Sequence, residues 1–227
     1  MSPRRPLIPL AFALFVAGCS EQVGSPQSGV EPPLAQTPHL LRWAGSVPQF
    51  NAIDAHSSRG AGGVLLTAPP GGLSLNQYTA TFLAVRGEQR SVQINYLSVT
   101  GDTSSPFLRL EGVDPAYVPG RGDLAPGDSV LITVTIDPYN IKVSLEPTGL
   151  QFDNPAQLHI SYGGADGDLN GDGVVDDSDA YIESQLLGIW YREGAESAWT
   201  RIPAAQALSD KSFTSALQHF SDYAVSW

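Results

Sequence analysis

Ser129-Val-Leu-Ile-Thr-Val-Thr-Ile136 is the stretch whose reading decides the fold. Every residue after Ser129 is β-branched or leucine, the composition that suits a pleated, half-buried surface. Turns flank it on both sides, Ala125-Pro-Gly-Asp128 before and Asp137-Pro-Tyr-Asn140 after, each with a residue that pre-sets a bend. Ile141-Lys-Val-Ser-Leu145 then alternates apolar and polar with period two, as a strand with one wet face does. Working backward, Tyr78–Val85 is rich in strand formers and Ser91-Val-Gln-Ile-Asn-Tyr96 alternates. The Gly87-Glu-Gln segment between them predicts a hairpin. Phe107–Leu110 is another short strand. Working forward, Ala156–Tyr162, Leu187–Tyr191, Phe213–Leu217 and Tyr223–Trp227 continue the series. Trp43, Val47, Phe50 and Ile53 are scattered among small residues, and Gly60–Gly72 is glycine-rich, so only short strands are expected there. No long amphipathic helix is visible. Many short strands separated by Pro, Gly and Asp predict an all-β fold, an antiparallel β-sandwich with at most one short helix.

The N-terminus has a different texture. Arg4 and Arg5 precede an apolar run from Leu7 to Ala17 that is too short for a bilayer, which needs about 20 residues. Residues 1–18 therefore read as a signal peptide. Val16-Ala17-Gly18 leads directly into Cys19, the sole cysteine, and this resembles the lipobox of bacterial lipoproteins. The resemblance implies a lipid on Cys19, a membrane partner through that lipid, and placement in the cell envelope. Ser20 stands where an aspartate is the inner-membrane sorting signal of enterobacterial lipoproteins, which implies the outer membrane where there is one. Residues 19–39, Pro-, Ser-, Gly- and Gln-rich from Glu21 to Thr37, read as a flexible stalk. The net charge of −11 falls to −13 once Arg4 and Arg5 are removed, and only Lys142 and Lys211 are lysines. Such a surface repels phosphate backbones, so nucleic acid is excluded as a partner.

Residues 129–227 carry a second resemblance. Ile141 to Tyr162, with its Pro147-Thr-Gly-Leu-Gln-Phe152 turn, Pro155-Ala156 and Leu158-His-Ile-Ser-Tyr162, is similar to the ZU5 domain family. Leu187-Gly-Ile-Trp-Tyr-Arg-Glu193 with Trp199-Thr-Arg-Ile-Pro203, and then His219-Phe-Ser-Asp-Tyr-Ala-Val225, follow in that family's order. The resemblance implies a ZU5-like sandwich over 129–227, with 40–128 as its N-terminal part. It implies a non-enzymatic role in protein interaction or envelope organisation, with an envelope or extracellular protein as partner.

Asp168-Leu-Asn-Gly-Asp-Gly-Val-Val-Asp-Asp-Ser-Asp179 lies between two of those strands. A hard cation such as calcium takes six to eight oxygens, and a 12-residue loop can supply them. With Asp168 first, Asn170, Asp172, the Val174 carbonyl, Asp176 and Asp179 fall at the EF-hand ligand positions, and Gly173 falls at the sharp turn. This register also puts Val175 where such loops carry an apolar anchor; a register from Asp166 puts Gly173 there. The loop resembles a dockerin half-repeat, which implies that Ala180–Leu187 continues as a helix. A dockerin carries two such repeats and this chain has one, so the expected role of calcium is structural, at about 0.1–1 mM affinity.

Three further motifs leave alternatives open. His219-Phe220-Ser221 resembles the self-cleavage site of some ZU5-containing proteins, where imidazole takes the serine proton and the oxygen attacks the preceding carbonyl. The competing expectation is a plain strand with His219 and Ser221 on one side and Phe220 on the other. Trp43, Trp190, Trp199 and Trp227 could form a sugar-stacking platform, as in a carbohydrate-binding module, or fill the sandwich. Arg121-Gly122-Asp123 is the integrin-type adhesion tripeptide or, among Pro119, Gly120 and Pro126, a plain exposed turn. His39, His56, His159 and His219 show no metal-ligand spacing, and there is neither a Gly-x-Ser-x-Gly elbow nor a P-loop.

Overall fold

A computed structural model describes residues 37–54, 72–97 and 103–227. Among these residues, fifteen strands form two antiparallel sheets. The first contains β1 (Phe50–Asp54), β4 (Arg90–Leu97), β5 (Thr103–Val113), β10 (Gln151–Ser161), β14 (Ser212–His219) and β13 (Ala205–Ala207), in that order. The small hairpin of β6 (Pro115–Val118) and β7 (Gly122–Asp123) pairs beside β10. The second sheet runs β12 (Thr200–Ile202), β11 (Gly188–Arg192), β15 (Asp222–Ser226), β9 (Lys142–Glu146), β8 (Ser129–Ile136), β3 (Thr79–Val85) and β2 (Ser74–Asn76).

Strand β8 has the expected bounds, and its alternation shows how the sheets meet. Val130, Ile132, Val134 and Ile136 are buried, whereas Leu131 is 58% exposed on the outer face. The inward residues join one apolar core with Phe82 of β3, Ile94 of β4, Leu108 and Leu110 of β5, Leu158 and Ile160 of β10, and Val225 of β15. The antiparallel sandwich read from the sequence is thus the observed architecture. Pairings β3–β8 and β5–β10 also interleave residues 40–128 with residues 129–227 in both sheets.

The expected hairpin between Tyr78–Val85 and Ser91–Tyr96 does not form. Strand β3 pairs with β8 from Thr79↔Thr135 to Val85↔Ser129, while β4 pairs with β1 and β5 in the other sheet. The Gly87 turn is an arch across the core. Both strands present apolar residues inward, Ala80, Phe82 and Ala84 on one, Val92 and Ile94 on the other, and those rows bury more area facing each other than side by side. Arg86 anchors the arch on Asp114 at 3.2 Å and on Asp153, and the Gly87 amide donates to Asp114. The Arg90 guanidinium lies 5.1 Å over the Phe82 ring and donates to the Leu83 carbonyl.

Residues 39–43 close one end of the second sheet. The His39 and Leu41 amides donate to Trp227 and Val225, and the Ile141 amide donates to Leu41. Trp43 is buried, and its Nε1 donates to the Asp137 carbonyl at 2.8 Å. Its ring lies so close to Gly164 that a Cβ there would sit 2.8 Å from Cε3, so a side chain cannot be accommodated. Among the described residues no helix is long and apolar enough to cross a membrane.

The two faces of β8 should respond differently to truncation. Ile132→Ala, which opens a cavity between the sheets, is expected to cost about 2–5 kcal/mol in urea unfolding, and Leu131→Ala about 0.5 kcal/mol or less. Equal losses would show that the strand is not oriented as described.

Candidate functional site

The aspartate loop joins a 3₁₀ turn, Gly163–Ala165, to the one-turn helix α1 (Asp177–Tyr181). Its carboxylates and Asn170 are turned onto backbone amides. Asp168 accepts from Gly171 at 2.8 Å and Gly173 at 2.9 Å; Asn170 Oδ1 accepts from Asp172 at 2.8 Å; Asp172 accepts from Val174 at 2.8 Å. Asn170 Nδ2 donates to Asp172 at 3.1 Å and to Ser178 Oγ at 3.0 Å. Gly173 has φ +88°, a conformation costly to any residue with a Cβ, so the glycine at the sharp turn has a physical reason.

Asp179 closes the loop. Its Oδ1 accepts from the Leu169 amide at 2.7 Å and the Asn170 amide at 3.2 Å, and its Oδ2 accepts from the Asp176 amide at 3.0 Å. The side chain is 3% exposed. Asp176 is the N-cap of α1 and accepts from Ser178, forming a reciprocal capping box with Asp179. Both acids are held below the usual carboxylate range, Asp176 first by the Ser178 hydroxyl and then its amide, Asp179 first by the Asp176 amide and, against burial, by those of Leu169 and Asn170. They carry full negative charge near neutrality.

The loop is tied to the sandwich at one point per side. Leu169 is buried in the core and its carbonyl accepts from Trp227 Nε1 at 3.2 Å. The His39 ring stacks on Trp227 at 4.6 Å. After α1 the chain continues as a π-helical turn, Ile182–Leu186, not the single helix expected over Ala180–Leu187. Gln206 Nε2 fastens that turn by donating to the Glu183 carbonyl at 2.9 Å and to Tyr162 Oη at 3.1 Å. Val175, expected as an inward anchor, is 66% exposed, and Val174 is 58% exposed.

The donor set is chemically suited to a hard cation: carboxylate, amide and backbone oxygens, with no nitrogen or sulfur ligand. Among the described residues, the ion pairs of Arg86, Arg109, Arg121, Lys142 and Arg192 all go to acids outside residues 168–179. Among the described residues, too, no three His, Cys, Asp or Glu side chains converge as a metal-binding group; the carboxylates serve amides instead. Asp168, Asn170, Asp172, the Val174 carbonyl, Asp176 and Asp179 are the groups available to hold calcium.

His219-Phe220-Ser221 is a crossing between sheets and not the plain strand expected as the alternative to cleavage. Strand β14 ends at His219 and β15 starts at Asp222, with Phe220 fully buried and Ser221 1% exposed. The Phe220 amide donates to Leu150, its carbonyl accepts from Gly149 at 2.8 Å, and the Ser221 carbonyl accepts from Leu145. Ser221 Oγ donates to the Arg192 carbonyl. His219 Nδ1 lies 3.3 Å from the Phe220 oxygen, and Tyr223 Oη donates to the His219 carbonyl.

Other candidates are absorbed by the fold. Trp43 and Trp190 are buried, Trp199 lies under the Arg192 guanidinium at 4.8 Å, and Trp227 stacks on His39. Arg121 donates to the Ser129 carbonyl and pairs with Asp128 at 3.2 Å, with Gly122–Asp123 in strand β7. His159 Nδ1 and Thr214 Oγ1 are 2.9 Å apart across neighbouring strands. Cys19 and His56 lie outside the described residues. Trp227 and His39 were missed as supports of the loop, because nothing local to residues 168–179 points to partners so distant in the chain. No protein-family model, curated protein or solved structure matches this chain.

Asp179→Asn keeps the size of the closing residue and removes its charge. It is expected to lower the melting temperature by roughly 5–10 °C at pH 7. Because the folded state holds this carboxyl below its unfolded value near 3.9, its contribution is present above that pH and is lost as pH falls through the folded value. The gap between wild type and variant should therefore narrow on acidification toward pH 3; a gap that widens would refute the charge-based account.

Proposed function

We propose that the chain is a cell-envelope lipoprotein, anchored through Cys19, that displays a calcium-stabilised, ZU5-like β-sandwich for interaction with another envelope or extracellular protein. The observation that carries this reading is the loop 168–179. Six oxygen-bearing positions stand in calcium-loop order, and Asp179 at the twelfth closes back onto the second and third. The carboxylates have backbone amides for partners. When bound, calcium supplies positive charge among them. The chain's own residues do the positioning: Gly173 makes the turn, Asp176 caps α1, and Leu169 plugs into the core.

The role is structural and not catalytic. Self-processing at Phe220–Ser221 requires the Ser221 hydroxyl to give its proton to a base, and that hydroxyl is directed at the Arg192 carbonyl instead. A sugar-stacking role for the tryptophans has little support, since two of the four are core residues.

Ten millimolar calcium is expected to raise the melting temperature by roughly 3–10 °C over chelator, for a site of about 0.1–1 mM affinity. Asp168→Asn should abolish the rise, and an unchanged melt in the wild type would sink the calcium assignment. Intact mass should show the chain continuous through Trp227; loss of the peptide Ser221–Trp227 would establish cleavage in its place.

A further inference from the structure

A pocket of about 280 Å³ opens where the π-helical turn Ile182–Leu186 meets strands β11, β12 and β13. Arg201 of β12 lines it, and its Nη2 donates to the Leu187 carbonyl at 2.8 Å. The guanidinium lies against Gly188, where an added Cβ would sit 2.5 Å from Nε and 2.9 Å from Nη2. Gly188 has no positive φ, so its backbone does not call for glycine; the space taken by Arg201 does. Among the described residues, no acid pairs with Arg201 and no acceptor reaches its Nη1. A positive group is thus held in place, in a chain of net charge −11, without a carboxylate against it. Guanidinium presents its N–H groups as a planar fork that fits a carboxylate through two parallel bonds.

The rest of the pocket is neutral. Gln206 Nε2 donates to the Glu183 carbonyl and to Tyr162 Oη, which fixes the carboxamide and turns Oε1 into the available acceptor. Ser184 Oγ donates to the Ala180 carbonyl at 2.8 Å and keeps its lone pairs, and Gln185 adds a second carboxamide. Buried Leu187 and Phe213 supply apolar surface beside them. Ser184 and Gln185 stand on the π-helical turn, a rare geometry that is frequent at functional sites.

These walls narrow the ligand. No acidic side chain lines the pocket, so the ammonium of an amino acid has no partner there. One guanidinium matches the single charge of a carboxylate better than the nearly double charge of a phosphate monoester. Pockets for drug-sized ligands run to roughly 300–1,000 Å³, so the occupant is one small unit. We infer that the pocket binds a hydroxylated monocarboxylate the size of a single sugar acid, a hexuronate. Its carboxylate sits on Arg201, and its hydroxyls meet Gln206 Oε1, Gln185 and Ser184. Neither a lipid on Cys19 nor calcium in the loop is required for this binding.

Saturation-transfer NMR titrations on the full chain read the affinity. Glucuronate is expected to bind at about 1 mM, as suits a ligand of so few atoms. Glucose (the hydroxyls alone), acetate (the carboxylate alone) and inorganic phosphate should each bind at least about tenfold more weakly. Methyl glucuronide is blocked at the anomeric carbon as a residue in a polysaccharide is; equal affinity for it supports a glycan as the source, and weaker affinity supports the free sugar acid. Arg201→Gln should weaken glucuronate at least about tenfold. Gly188→Ala keeps every polar group of the pocket but displaces the guanidinium, the movable end of a side chain, and should weaken glucuronate to the same extent, with circular dichroism reporting an intact fold. Glucuronate bound by wild type no tighter than glucose, acetate or phosphate overturns the assignment, whatever the variants do. A folded Gly188→Ala chain that binds glucuronate as wild type does overturns the placement of its carboxylate on Arg201.

Discussion

Each sheet of this protein has one apolar face, and neither face can exist in water without the other. The inward rows of β3, β8, β9 and β15 meet those of β4, β5, β10 and β14 in a single core. At about 25 cal/mol per Å² of apolar surface removed from water, this mutual covering is the dominant favourable contribution, and the connections are shaped to serve it. The chain crosses between sheets at Gly87, where a local hairpin looked simpler, and again at Phe220, where a plain strand was expected. Each crossing is held by buried or ion-paired groups: Arg86 with its two aspartates at the first, and the amides of residues 145–150 at the second.

Much of this was legible in the sequence because strand periodicity is local. Ser129–Ile136 announced itself through its β-branched composition, and Ile141–Leu145 and Phe213–Leu217 through alternation. The Gly87 turn was misread because turn chemistry specifies a change of direction without specifying whether the two strands then pair or face each other. Strands β6, β7 and β13 are too short, at two to four residues, to show a period. At the candidate site, the liganding order and the turn glycine were readable because all the groups lie within twelve residues. The exposure of Val175 was not, since an apolar residue in a loop carries no mark of which way it points. Nor was the acceptor of the Ser221 hydroxyl, Arg192, which lies 29 residues away.

Three of the basic residues pair with acids that brace the sandwich: Lys142 with Asp137, Arg192 with Asp222, and Arg86 with Asp114 and Asp153. Asp137 shows the balance within one group. Burial opposes its charge, yet the amides of Tyr139 and Asn140 and the Lys142 ammonium outweigh that and lower its pKa. The loop acids receive backbone amides, and their charges concentrate negative potential in a protein that is already acidic.

Strand β15 sits in the interior of the second sheet, with β11 on one side and β9 on the other. It is also later in the chain than every strand it joins. As the polypeptide emerges from the ribosome, β2, β3, β8 and β9 can assemble, and so can the β11–β12 hairpin, but these two pieces have no shared edge until residues 222–226 arrive. The edge of β9 and the apolar floor beneath it stay open throughout that interval. Closure of the second sheet is thereby deferred until residues 222–226 are in place, and until then an unpaired edge is exposed to any other extended segment that arrives first.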